Sequence, residues 1–287
     1  MELFVQATIN GLILGSIYAL VALGLSLIWG VMNIVNFAHA EFLMWAMYAT
    51  YLFWTVGGVE PVVALLPVVI LFFGTGWVTY KLLVQRIIQA PMVSQIFATF
   101  GLLLFLRFLA FNRFGPELRQ VRGHLLDGEV FRPYGLSIPE PRLMAASAAI
   151  VTFAGLHLFL TRTKTGKALQ AVAQNRAAAL SLGIDPERMF ALAWGIGIAS
   201  VAIAGVFLTT FRAFDPNVGA AFLLLAFASV VLGGFGTVIG ALVGGLTIGL
   251  VENWFGTLVS PSFKLLFVFS LFVFMLLVRP QGLLGSR

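Results

Sequence analysis

Long apolar stretches separated by short polar breaks run the length of the chain. A helix that crosses a membrane needs about 20 mostly apolar residues. Runs of that kind predict spans at about 5–29, 38–56, 61–83, 92–111, 142–160, 189–210, 219–234, 237–256 and 263–279. The stretch 219–256 carries Gly219, Gly233, Gly234, Gly236, Gly240, Gly244, Gly245 and Gly249. It reads either as two spans or as one span plus a re-entrant half-helix. The expectation is therefore an all-α, polytopic bundle of eight or nine spans, forming one domain over 1–287. Two polar segments interrupt it, an external loop at 112–141 and a cytoplasmic segment at 161–188. No soluble domain is expected after the last span.

Composition narrows the class. The chain is 60% hydrophobic and 10% charged, with mean hydropathy +1.02. Soluble domains carry about a quarter charged residues. The 17 basic residues are scattered and form no stripe, so nucleic acid is not an expected partner. With no cysteine, disulfides and thiolate metal sites are excluded. The start, Met1-Glu2-Leu3-Phe4, lacks a basic n-region and reads as mature sequence.

Charge suggests an orientation. With nine crossings and 161–188 inside, the inner side holds Lys81, Arg86, Arg162, Lys164, Lys167, Arg176, Arg188, Arg279 and Arg287, against Glu41, Asp185 and Glu187. A basic inside fits the positive-inside tendency. This places the N-terminus outside and the C-terminus inside, and loss of one crossing would reverse the N-terminus.

Segment 161–188 carries the clearest signal. Residues 166–182 are rich in helix formers, with Leu169, Val172, Ala173 and Leu180 roughly on one face. Gly183 suits a helix C′ position, and Asp185-Pro186-Glu187 suits the next helix start. Such a basic surface helix either docks in a partner's groove or lies among headgroups. Gly166-Lys167 is not a phosphate loop, because Thr161 stands where glycine is required and Ala168 where Ser or Thr is required.

The turn between the first two spans contains Asn36, His39 and Glu41. It reads chiefly as a capped turn, with metal or proton chemistry the sharper alternative. Glycines at four-residue spacing, Gly11 and Gly15, Gly236, Gly240 and Gly244, and Gly245 and Gly249, let helices approach closely or line a conduit. Arg107, His157 and Glu252 are expected near span ends, snorkelling to the interface. No ionisable group is expected at mid-membrane, which disfavours an ion-coupled secondary transporter. No arrangement of catalytic residues or metal ligands is present, so the chain is expected to be neither an enzyme nor a holder of a cofactor.

Several of these segments together resemble one family. Asn10-Gly11-Leu12-Ile13-Leu14-Gly15-Ser16, Asn36-Phe37-Ala38-His39-Ala40-Glu41, Gly166-Lys167-Ala168 with Ala173, Asn175, Ala178 and Gly183-Ile184, Val231-Leu232-Gly233-Gly234-Phe235-Gly236-Thr237, and Pro280-Gln281-Gly282-Leu283-Leu284-Gly285 occur in the order found in permeases of branched-chain amino-acid ABC transporters, the LivH type. Ala40 departs from that pattern, which has glycine, and Leu225 stands in place of a lysine. Loop 112–141 has no counterpart in the resemblance.

The resemblance implies one half of a permease pair in a bacterial-type inner membrane, with a vitamin-B12-importer-like fold. It implies a second permease subunit, two cytoplasmic ATPase subunits and an external solute-binding protein. It implies ATP-driven import of branched-chain or related neutral amino acids by alternating access, with urea or short amides as the family's other substrates. Lys167, Ala171, Asn175, Arg176 and Gly183 are the expected ATPase contacts.

Overall fold

The computed structural model describes residues 2–123, 130–131 and 137–285; Arg287, counted above with the inner charges, lies outside them. Among the described residues the chain is a bundle of helices. In order these are α1 (Glu2–Met32), α2 (His39–Gly57), α3 (Pro61–Thr79), a wide turn (Tyr80–Val84), α4 (Gln85–Ile87) and α5 (Met92–Phe114). A two-residue ribbon of β1 (Val130–Phe131) and β2 (Ile138–Pro139) precedes α6 (Glu140–Arg162). Then come α7 (Lys164–Gln174), α8 (Arg176–Ser181), α9 (Pro186–Phe211), α10 (Val218–Gly233), α11 (Val238–Leu258) and α12 (Lys264–Val278).

Seven helical segments among the described residues are long and apolar enough to cross a membrane. They are α1, α3 continued to Ile87, α5, α6, α9, α11, and α12 with its preceding turn. Two further helices sit where spans are expected but fall short of that standard. α10 is apolar but has only 16 residues. α2 has 19 residues and opens with His39 and Glu41, which lower its hydropathy. The glycine-rich stretch is two helices, α10 and α11, separated by a turn at Gly234 and Gly236 with φ of 105° and 79°.

α1 and α9 form the buried centre, while α3, α5, α6 and α12 are peripheral. The peripheral helices turn large side chains such as Ile70, Phe97, Phe105 and Leu277 outward. In lipid, apolar side chains gain little by leaving their surroundings, so helices associate through close packing of small residues. The glycine ladders do this. A methyl added at Gly15 would lie 2.9 Å from the Gly245 carbonyl oxygen, and one at Gly11 would lie 3.0 Å from that of Gly249. α1 and α11 therefore run antiparallel with their backbones in contact. Gly233 meets Gly240, Gly244 meets the Ser229 carbonyl, and Gly30 meets Gly236. Gly234 meets Gly285 and Gln281 of the C-terminal segment. Each of these glycines faces backbone of a neighbouring element.

The start of α2 lies inside the bundle. After Met32 the chain turns at Asn33 (φ 56°) and runs without helix through 34–38. His39 Nε2 then lies 3.0 Å from the Val21 carbonyl, well back along α1. A methyl on Gly219, at the start of α10, would touch the Ala40 carbonyl and Glu41. Irregular backbone at such depth is tolerated where protein surrounds it.

Loop 112–141 is tied to the bundle at two described points. Gln6 and Ser137 exchange side chain-to-backbone hydrogen bonds of 2.9 Å. Arg119 and Phe214 exchange two backbone hydrogen bonds of 2.9 Å, joining the loop to the α9–α10 connection.

Candidate functional site

Two regions hold the chemistry that an apolar bundle would otherwise lack. One is the α7–α8 segment at one end. The other is a set of buried polar side chains around the start of α2.

Segment 161–188 is not one helix but two. Thr163 caps α7 by accepting the Gly166 N–H at 2.9 Å. That cap accounts for the Thr163-Lys164-Thr165-Gly166 run, and Gly166 is required because a side chain there would strike the Phe159 carbonyl at the end of α6. The expected single helix over 166–182 is broken at Asn175, whose backbone is extended (φ −156°, ψ 103°). The Asn175 side chain then caps α8, accepting the Ala178 N–H at 3.0 Å. Asparagine favours caps over helix interiors because its side chain competes for backbone donors. Gly183 closes the segment with φ 80°, and Asp185 caps α9 by accepting the Glu187 N–H at 3.0 Å.

The expected apolar face divides between the two helices. Leu169 and Val172 are buried against the bundle, with Ala171 half-buried beside them. Lys167, Ala173, Asn175, Arg176 and Gly183 are exposed. Leu180 and Leu182, 61% and 79% exposed, stand at the end of α8. Behind α7 a cavity of about 460 Å³ is lined by Leu27, Val31, His157, Leu169, Ala173 and Leu284.

Arg176 is held from two sides. Its Nη2 donates to Glu187 Oε1 at 2.8 Å, and its guanidinium lies 5.3 Å from the Phe190 ring centre. The other Glu187 oxygen, Oε2, accepts the Tyr80 hydroxyl at 2.6 Å. Tyr80 is fully buried. Sequence reasoning passed over Tyr80, and it assigned Glu187 only to a helix start. A buried tyrosine hydroxyl needs a partner, but neither the burial of Tyr80 nor its partner is visible in the sequence.

The second region corrects two expectations. Asn36, His39 and Glu41 are all buried, and none of their side chains caps a helix: α2 begins after Ala38 with no side-chain cap. Ionisable groups therefore do lie inside the bundle. Arg107 does not snorkel; it forms an ion pair with Glu41, joining α5 to α2. Thr99 donates to the Val35 carbonyl at 3.1 Å, tying α5 to the run before α2, and Trp45 donates to the Leu106 carbonyl at 3.0 Å, tying α2 to α5. Both amide atoms of Asn36, Oε2 of Glu41 and Nε of Arg107 are buried without a hydrogen-bond partner. A buried unpaired polar group costs about 1–3 kcal/mol, so such a cluster calls for an explanation beyond packing. Glu252 is likewise buried and paired, with Tyr18 and with Lys264. Among the described residues no group of His, Cys, Asp and Glu is arranged to hold a metal ion.

A family model described as the permease component of branched-chain amino acid transport systems matches residues 7–276. This chain belongs to that permease family. The permease is 28% identical over 300 residues to the high-affinity branched-chain amino acid transport system permease protein LivH of Escherichia coli K12, covering 98% of this chain and 96% of the relative. It is 27% identical to the BraD permease protein of Pseudomonas aeruginosa, at the same coverage. The ribose import permease protein RbsC of Bacillus subtilis is 33% identical over 144 residues, 48% of this chain and 44% of that protein. No solved structure matches. The permease is a multi-pass membrane protein and a transport subunit. Leu225 is buried in α10.

Proposed function

We propose that this permease is the membrane-spanning subunit of an ATP-driven importer in a bacterial-type plasma membrane, carrying branched-chain or related neutral amino acids. The observation that carries the reading is the family match over residues 7–276 together with the α7–α8 segment. That segment presents exposed leucines beside exposed lysine and arginine, in a chain without a phosphate-binding loop. A transport subunit that binds no nucleotide needs partners that do. Two cytoplasmic ATPase subunits would seat α7–α8, a second related permease would complete the pathway, and an external solute-binding protein would deliver the solute. The helix-in-groove mode suits Leu180 and Leu182 as anchors, with Lys167, Asn175, Arg176 and Gly183 around them. Ala171, half-buried, contributes by seating α7 on the bundle.

In this reading α2 and α10 complete nine passes, placing the two ends of the chain on opposite sides. The fold is of the vitamin-B12-importer-like type. ATP binding biases the bundle between outward- and inward-open states. The polar belt of Asn36, Glu41 and Arg107 offers a neutral, hydrogen-bonding solute polar contacts in an otherwise apolar interior. Branched-chain amino acids are favoured by the names of the LivH and BraD relatives. The test is to purify tagged permease from its host in mild detergent, identify what accompanies it, and reconstitute the complex. Two ATPase subunits, a second permease and ATP-dependent leucine uptake are expected. Uptake of urea alone would move the assignment to short amides. Uptake driven by an ion gradient without ATP would replace the reading with a secondary transporter.

A further inference from the structure

We propose that the Glu187 carboxylate is the joint through which movement of α7–α8 reaches the transmembrane bundle. The proposal rests on the importer reading above. Three separate elements meet at this one side chain. Arg176, the first residue of α8, donates to Oε1 at 2.8 Å. Tyr80, where α3 passes into the wide turn, donates to Oε2 at 2.6 Å. Glu187 itself lies in the first turn of α9.

The three contacts differ in kind. Arg176 and Glu187 are partly exposed, at 41% and 28%, and such a pair by itself holds little. Tyr80 is fully buried, so its hydroxyl has reason to keep its acceptor. The carboxylate is thus anchored on its inner side and available on its outer side. The Phe190 ring under the Arg176 guanidinium adds a second hold on the same face of α9.

The surroundings make a lever. The extended backbone at Asn175 separates α8 from α7, making α8 a distinct arm between the partner-facing end and α9. Leu180 and Leu182 stand exposed at the far end, where a partner would push. On the bundle side, α3 and α9 are packed backbone to backbone: a methyl on Gly76 would lie 3.0 Å from the Gly195 Cα. These helices therefore move together, and their shared end is the Tyr80–Glu187 contact. The wide turn that starts at Tyr80 is of a type found often at functional sites. Glu187 and Tyr80 are positioning residues, acting through helices rather than on the solute.

The test uses the complete complex in proteoliposomes. The probe is whichever of radiolabelled leucine and radiolabelled urea the wild type takes up with ATP. Tyr80→Phe keeps the ring and removes only the hydroxyl, and Glu187→Gln keeps the shape and removes the charge. Each is expected to lower solute moved per ATP hydrolysed by roughly tenfold, within the range typical of coupling between two sites. Hydrolysis itself is expected to continue. The double variant should lose no more than either single one, because both act through one contact. The ratio is per ATP consumed by assembled complex, so lower yield does not enter it. A wild-type ratio in both single variants overturns the joint, even if yield or melting temperature falls. If the wild type takes up neither probe with ATP, the importer reading fails and the joint fails with it.

Discussion

Tyr18 donates a 2.6 Å hydrogen bond to Glu252, joining the middle of α1 to α11 inside the bundle. Lys264, at the start of α12, donates to the other carboxylate oxygen at 2.9 Å. One side chain thereby ties three helices. Removing the carboxylate strands a buried hydroxyl and leaves the lysine without its partner. Glu252→Ala should cost about 2–4 kcal/mol, more than the roughly 1 kcal/mol expected for Tyr18→Phe. Thermal melting in detergent, followed by the fraction that stays monodisperse, checks the order of the two.

The Glu41–Arg107 pair should behave asymmetrically. Arg107→Ala leaves a buried carboxylate with no counter-ion and should destabilise by about 3–5 kcal/mol. Glu41→Gln with Arg107→Gln removes both charges together and should recover much of the loss. A double-mutant cycle on melting temperature reads the coupling. Additive effects would show that the two side chains act independently.

Close helix packing predicts opposite results at two glycines. A methyl at Gly245 would collide with the backbone of Ala19. Gly245→Ala should therefore sharply reduce folded protein. Gly101, on the outer face of α5, has no atom within 4 Å of an added methyl. Gly101→Ala should be neutral or gain about 0.5–1 kcal/mol from helix propensity. Equal behaviour of the two would contradict the α1–α11 contact.

Much of this architecture could be read from the residues in order. Every expected span coincides with a helix, with ends shifted by a few residues, because runs of about 20 apolar residues leave few other structures available in lipid. The Asp185-Pro186-Glu187 start and the Gly183 turn were local and therefore legible. What escaped was non-local. Nothing near Arg107 in sequence indicates Glu41, and a polar turn at Asn36–Glu41 looks the same whether it sits at a surface or in the interior. Asn175 could have been suspected, since asparagine after a run of helix formers is a natural break. The joint at Glu187 needed Tyr80, which lies 107 residues away in sequence.

If α8 seats in a partner, its exposed leucines are the place to cut the contact. Leu182→Asp, 79% exposed and outside the packed interior, should leave melting of the isolated permease within about 0.5 kcal/mol of wild type. The same substitution should lower recovery of ATPase subunits in co-purification by roughly tenfold or more, the loss expected at an interface anchor. Full recovery would move the docking surface elsewhere.

The C-terminal segment has a consequence for how the protein is made. The backbone N–H groups of Leu283 and Leu284 donate to the carbonyls of Leu232 and Gly233, at 2.8 and 3.0 Å. These carbonyls end α10, where helix acceptors otherwise lack partners. The donors that finish α10 are translated only after α11 and α12. During synthesis α10 must wait, its last turn open, while two more hydrophobic helices leave the ribosome. Closure of this end of α10 thus follows the synthesis of α11 and α12.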